Sequence, residues 1–429
     1  MAQIRAFRAL RYTAAKAGAI ETLVCPPYDI ISGEEREALL QKSPYNMVRL
    51  ELPTGDDPYT QAGALLQEWL TSGVLKEDMD EGIYIYEEEF SEKVTHGEKK
   101  ALRGMICRVR LEDFAAGVVL PHEETLSKAK EDRFRLMEAT GCNFSQIYSL
   151  YQDPQHTTRK RLDGLAASCP PRYDFSDGLV THRLWVVNDP VAIEALRKDF
   201  ADRKLYIADG HHRYETALRY REHHPEADHV MMMLVDMEDP GLVVFPTHRL
   251  LSGLTDFDAA ALPERCGEWF ETAQHSSREE TEAALAECYT AGQHAFGYFD
   301  GASWYTLLLK DSSVMDGILP KMSEAYRHLD VSILHSLILE RLLGIDRENM
   351  AAQKNLSYTR SSEEAEQSVQ FGKSQCCFLL NPTRVAEIGA VAAAGEKMPQ
   401  KSTYFYPKLI TGLVMNPLTK NTEATNETL

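Results

Sequence analysis

Apolar residues fall at helical spacing in some stretches of the chain and at strand spacing in others. Leu65, Leu66, Trp69 and Leu70 predict a helix over 61–75. Ile83-Tyr84-Ile85-Tyr86 and the run from Arg103 to Val109 predict two strands of a long hairpin, with the charged residues between them on a solvated edge. A charged helix is expected from Leu120 to about Ala139, stopped by Gly141, and then a strand from Ser145 to Tyr151. Further strands are expected at Arg183–Val187, Lys204–Ala208, Val230–Val235 and Gly241–Phe245, with a short helix from Val191 to Phe200. Asp209 to His212 reads as a turn, and Arg213 to His224 as a helix with Tyr214, Ala217 and Leu218 on one side. Beyond Gly253 come a helix, a hairpin turning at Asp300-Gly301, a helix from Leu329 to Leu343, and then helix, strand and helix. The sum is a mixed α/β (α+β) fold.

Prolines and polar runs add detail. Pro26 and Pro27 fix φ and are expected to hold Tyr28 and Asp29 in an extended path. The tail over 416–429 is polar and expected to be disordered.

At 429 residues the chain has material for two or three domains. Its formal charge of −19 opposes non-specific attraction to nucleic acid or anionic lipid. The eight cysteines form no C-x-x-C pair, and the adjacent Cys376 and Cys377 lie in an apolar run that suits a buried strand. Scattered thiols, no apolar leader and no apolar run of transmembrane length lead us to expect a cytoplasmic protein.

The chemistry concentrates in Ile207-Ala208-Asp209-Gly210-His211-His212-Arg213-Tyr214, a strand that turns at glycine into a helix. A helix start presents N–H groups and a positive dipole end to an anion. Gly210 permits positive φ or close backbone approach, and Arg213 can grip phosphate with two N–H groups. His211 and His212 supply donors that shuttle protons near neutrality, and Asp209 can orient an imidazole, bind Mg²⁺ or accept a hydroxyl proton. The same residues also suit an ordinary helix start capped by Asp209, with two structural histidines. Neighbouring histidines on a helix point about 100° apart, so zinc ligation is disfavoured and no protein-held metal is expected.

A second cluster is His122 and Glu123 at the entry of a helix carrying Thr125, Lys128, Lys130 and Arg133, which fits either a solvated charged helix or an acid–base group with cations facing a ligand. A third, Lys401, Ser402, Thr403 and Lys408, sits among prolines and aromatics and can hold an anion or simply cap a strand. His248 and Arg249 add a basic pair at a strand end.

Together the blocks Cys25-Pro26-Pro27-Tyr28-Asp29, Pro121-His122-Glu123, Asp209 to Tyr214, Pro246-Thr247-His248-Arg249 and Met398 to Thr403 resemble the signature of the domain-of-unknown-function 1015 family of prokaryotic proteins. That likeness runs along nearly the whole chain and names no reaction. The central turn also resembles the ParB/sulfiredoxin-like group. Sulfiredoxin carries Gly-Cys-His-Arg-Tyr on ATP phosphates, and His211 stands here in place of its cysteine, against sulfinic-acid repair. ParB proteins carry Gly-Glu-Arg-Arg, which is absent. The Asp-Gly-His-x-Arg turn of free serine kinases fits Asp209 to Arg213 best.

The resemblance implies a ParB/sulfiredoxin-like core over 116–250, an N-terminal α/β segment over 1–115 and a C-terminal α/β region over 251–415. It implies a nucleotide-dependent phosphotransferase acting on a small hydroxylated metabolite, serine being one candidate, with ATP or ADP and Mg²⁺. Asp209, His211, His212, Glu123 and His122 are then the candidate catalytic groups. Gly210, Arg213, Tyr214, Lys130, Arg133, His248, Arg249, Lys401, Ser402 and Thr403 are candidate nucleotide contacts, and Tyr28 and Asp29 candidate substrate contacts. A phosphate-ester (phosphoserine) hydrolase and a non-enzymatic nucleotide-binding regulator are the alternatives. The expected partners are a small molecule and a nucleotide, with no nucleic acid or membrane, and a homo-oligomer is compatible.

Overall fold

The computed structural model describes residues 1–90, 98–123, 125 and 127–418. It shows a mixed α/β chain in two discontinuous units. The first is built from residues 1–121, 125–243 and 407 onward, and the second from 122–124 and 244–406.

The first unit is organised on a nine-stranded sheet. Its strands are β1 (Ile4–Arg5), β2 (Ile83–Phe90), β3 (Lys100–Arg110), β4 (Val119–Leu120), β5 (Ile147–Tyr151), β6 (Tyr173–Ser176), β7 (Val180–Val187), β8 (Leu205–Asp209) and β9 (His229–Asp236). The order is β4-β8-β5-β9-β3-β2-β7-β6, with β1 paired to β3. β8 runs parallel to β4 and β9 parallel to β5, while the remaining pairs are antiparallel. β5 and β9 lie inside the sheet and are buried along their whole length, which is why they show continuous apolar runs rather than alternation. Three helices carry residues of the polar cluster in this unit: α1 (Val48–Glu51), α2 (Ser127–Thr140) and α3 (His211–His223). α3 buries Tyr214, Ala217 and Tyr220, one face of a helix, in the main core with Ile207, Leu234 and Met232. A second core gathers Leu10, Val48, Leu66, Trp69, Leu136 and Phe144.

The second unit holds a six-stranded antiparallel sheet. Its strands are β10 (His248–Leu251), β11 (Phe270–His275), β12 (Ala295–Phe299), β13 (Trp304–Leu309), β14 (Leu356–Thr359) and β15 (Cys376–Leu379), in the order β11-β13-β12-β15-β10-β14. Cys376 and Cys377 are buried in β15, as the apolar run predicts.

Four local expectations are corrected. The acidic run Glu87-Glu88-Glu89 is not a solvated edge: β2 lies between β3 and β7, and Glu87 and Glu88 are buried. Residues 91–97, which the expected edge also covers, lie outside the described residues. Tyr28 and Asp29 are not extended but open a 3₁₀ turn, Tyr28–Ile30, immediately after Pro27, whose carbonyl accepts from Ile30 N–H and closes the turn. The helix expected from Leu120 begins only at Ser127, after the short strand β4 and an isolated bridge of Glu123 to Met398, with Pro121 unable to continue a backbone ladder. The tail is ordered at its start: Asn416–Pro417 pairs with Cys142–Asn143, and Asn416 is fully buried. Residues 419–429 lie outside the described residues.

Candidate functional site

The turn after β8 is the centre of the first unit's polar cluster. Gly210 has φ +96°, a left-handed conformation that side chains avoid, and it occupies the N-cap position of α3. A Cβ there would also lie 2.9 Å from the Arg213 guanidinium, which is folded back over the glycine. The N-cap residue of the helix is Gly210 rather than Asp209. The Asp209 carboxylate is held from two sides, by the Lys408 ammonium at Oδ1 and by Arg213 Nη2 at 2.8 Å from Oδ2. Burial acts to raise the Asp209 pKa, but Lys408, Arg213 and His211 together bring it well below the usual carboxylate range. Asp209 is therefore a fixed anion that positions two cations, and a weak proton acceptor.

Arg213 is fixed at its other nitrogen as well. Its Nη1 donates to the Gln146 carbonyl at 2.6 Å, and the Gln146 side chain donates to Ile410 O at 3.0 Å, close in sequence to Lys408. Beyond Arg213 lies Glu51, at the end of α1 and almost fully buried. Its Oε1 accepts from Ser145 Oγ at 2.9 Å and lies 3.7 Å from Arg133 Nη1. Burial pushes the Glu51 pKa up, against the lowering influence of Arg133 and Arg213. Arg133 is clamped by Asp132 and by the Glu51 carbonyl, and its guanidinium stacks over the Tyr28 ring at 4.1 Å. Tyr28 in turn is raised to about 12 by burial and by Asp29. Glu51, Arg133, Ser145 and Arg213 line one cavity of about 40 Å³. That is room for a hydroxymethyl group or a phosphate oxygen rather than a whole nucleotide.

The structure thus brings Tyr28, Asp29, Arg133, Asp209, Gly210 and Arg213 into one neighbourhood of the first unit. His211 is buried beside Asp209, and His212 is half-buried. Two sequence candidates are occupied elsewhere. Tyr214 is fully buried, with its hydroxyl on Glu112 and its ring stacked on Phe114. Lys130 pairs with Glu215 at 2.7 Å, where Thr125 also donates.

The remaining candidates belong to the second unit. His122 Nε2 lies 3.0 Å from Thr403 Oγ1, and its backbone carbonyl accepts from Met398 N. Glu123 Oε1 accepts from Lys401 N at 2.8 Å. Lys401 adopts φ +57°, a left-handed turn, and its carbonyl accepts from Arg249 Nη2 at 3.1 Å. Ser402 Oγ donates to Pro399 O, and Thr383 donates to Ser402 O. Arg249 is completely buried, with its Nε unpartnered, and burial lowers it to about 10 although Tyr358 and Glu123 act the other way. His248 is pushed down to about 4 by burial and by Arg249. These residues brace the Lys401 turn, and their bonds are mostly to backbone.

The sequence pattern did not single out Glu51, and it placed Lys408 in an anion-holding loop without linking it to Asp209. Glu51 sits in Val48-Arg49-Leu50-Glu51-Leu52, where a charge inside an apolar run is the signal that finds a buried acid.

The protein is thus a mixed α/β chain whose first unit holds a small cavity lined by Arg133, Arg213 and Glu51. The family model for "Protein of unknown function (DUF1015)" matches residues 4–332, and the chain belongs to that family. No curated protein matches. Among solved structures, a conserved hypothetical protein from Pyrococcus furiosus is similar at 14% identity and TM-score 0.36, over 73% of this chain and 95% of that one. A free serine kinase in complex with AMP is similar at 13% identity and TM-score 0.38, over 72% and 91%. SbnI from Staphylococcus aureus, with a C-terminal truncation, is similar at 12% identity and TM-score 0.37, over 74% and 90%. Among the described residues no helix is long and apolar enough to cross a membrane, and no group of three or more His, Cys, Asp or Glu is placed to hold a metal ion.

Proposed function

We propose that the first unit transfers a phosphoryl group between a nucleotide and a small hydroxylated metabolite, with serine as a candidate acceptor. One observation carries this reading: Arg213 from the glycine turn and the proton-prone carboxyl of Glu51 line the same small cavity. Phosphoryl transfer needs cations around the moving group and a base on the attacking hydroxyl, and little covalent chemistry. In this assignment Gly210 and the first N–H groups of α3 cradle phosphate oxygens, while Arg213 and Lys408 face the charge from positions set by Asp209. Glu51 takes the hydroxyl proton, since a carboxyl raised by burial above its ordinary range is a better base than the depressed Asp209. Arg133 and Tyr28 form the wall beside Glu51. His211 and His212 stand at the helix start, where a phosphate is within reach of an imidazole donor.

ATP or ADP fits as the phosphate source through these cations. Mg²⁺ would come with the nucleotide and neutralise its phosphates, because Asp209 is already committed to Lys408 and Arg213. The test is a thermal-shift screen of the full chain against ATP, ADP, CTP and phosphoserine, with and without Mg²⁺. A nucleotide raises the melting temperature of the wild type, and Arg213→Ala abolishes the rise. A shift with phosphoserine alone would replace the transferase by a phosphate-ester hydrolase or a phospho-metabolite sensor. No shift with any of them would remove the proposal.

A further inference from the structure

A second cavity lies wholly inside the second unit, with a volume of about 100 Å³. One wall comes from Asp330–Ile333 and the nine-residue π-helical stretch that continues it, Leu334–Leu342. A π-helix of this length is rare, and π turns recur at functional sites because the wider turn re-aims side chains. Here it carries His335 into the lining, next to Ser332. Both side chains are more than nine-tenths buried, and Ser332 Oγ and His335 Nε2 have no hydrogen-bond partner. Leaving such atoms unpaired costs about 1–3 kcal/mol each, so two facing one cavity call for an occupant.

The surroundings describe that occupant. Burial, with Arg249 nearby, keeps His335 well below its usual pKa, so its ring is neutral and can donate from one nitrogen only. Arg347, exposed, and Lys397, half-buried, bring two cations to the lining, against the one carboxylate of Glu340. Met350 and Met398 add apolar surface. The volume is below the roughly 150 Å³ of an apolar cavity that takes a benzene ring, so a nucleotide is too large.

We propose that this cavity binds a small oxyanion, a carboxylate or phosphate of about six heavy atoms or fewer, with Arg347 and Lys397 taking its charge and Ser332 and His335 hydrogen-bonding it from the buried side. The site is independent of the nucleotide pocket in the first unit, and either can fail without the other.

The experiment is a titration of the full chain, labelled with ¹⁵N at histidine, with inorganic phosphate, L-lactate and, as the neutral control, glycerol. The His335 ring signals are assigned by their loss in His335→Phe. Phosphate or lactate is expected to shift them saturably, and which of the two binds identifies the headgroup. Ser332→Ala weakens binding about tenfold, the worth of one hydrogen bond to a charged partner. Arg347→Gln, at an exposed position that leaves the fold intact, weakens it further and leaves the glycerol response unchanged. No saturable shift with either anion overturns the proposal, as does equal binding of glycerol, or anion binding indifferent to Ser332→Ala and Arg347→Gln.

Discussion

The Asp209–Lys408 contact sets the geometry of the proposed phosphate site, and its strength can be measured. Asp209, Lys408 and Arg213 side chains are 17%, 12% and 12% exposed, so the cluster is mostly desolvated. Removing one partner of a buried ion pair costs about 3–5 kcal/mol. Residual solvent and the second cation reduce that to about 2–3 kcal/mol here for Asp209→Asn or Lys408→Met alone. In the double variant neither change leaves the other's charge stranded, so the loss is smaller than the sum by a coupling of about 2 kcal/mol. The assay is urea unfolding in a Trp269→Phe/Trp304→Phe background, where Trp69 and Trp185 report the first unit alone. The folded-state pKa of Asp209 is depressed, so its contribution is present above the ordinary value of 3.8 and is lost only in stronger acid. The coupling measured at pH 7 therefore persists at about pH 5. Additive losses, within about 0.5 kcal/mol, would refute the pinned-cation geometry.

Other outcomes rest on single features. His182, between Asp177 and Glu88, is carried up to about 9 by those carboxylates although burial opposes it. Its stabilising contribution is therefore complete below 6.5 and is lost as pH rises through 9. Wild-type stability of the first unit should fall by about 3 kcal/mol across that window and stay flat in His182→Gln, which pH-dependent urea midpoints will show. Gly210→Ala should destabilise by about 1–2 kcal/mol through its positive φ and displace the Arg213 guanidinium. Calorimetry should then show nucleotide affinity falling more than stability. Of the eight thiols, Cys169 is exposed and Cys288 half-buried. A thiol reagent should therefore titrate Cys169 first under native conditions, with the six buried cysteines reacting only on unfolding.

Local pattern made much of the fold legible. Continuous apolar runs gave β5 and β9, helical spacing gave α3, and the strand–glycine–helix pattern placed the glycine turn at Asp209 to Arg213. What periodicity does not carry is long-range pairing. Lys408 reaches Asp209 across 199 residues, and Glu123 meets Lys401 across 278, so neither contact leaves a local trace. Glu51 is buried where its carboxylate meets Ser145 and Arg133, and Glu88 is buried because β2 lies between its hairpin partner β3 and the later strand β7. The discontinuous units are hidden for the same reason: residues 407–418 return to the first unit after the whole of the second. Tyr28 and Arg133 are candidates in the sequence and Glu51 is not; what joins the three is Arg133, stacked over the Tyr28 ring and paired with Glu51.

The most direct test of phosphoryl transfer separates binding from chemistry at Glu51. Glu51→Gln keeps the shape of the side chain and can still accept from Ser145. Nucleotide affinity, by calorimetry, and single-turnover phosphoryl transfer to a panel of hydroxylated metabolites including serine are measured on the same preparation. With Glu51 as the base, nucleotide affinity stays within about threefold of wild type and transfer slows by about 10²–10⁴, the usual worth of a general base. Transfer at the wild-type rate in Glu51→Gln, or nucleotide binding with no transfer to any acceptor even in the wild type, would contradict it.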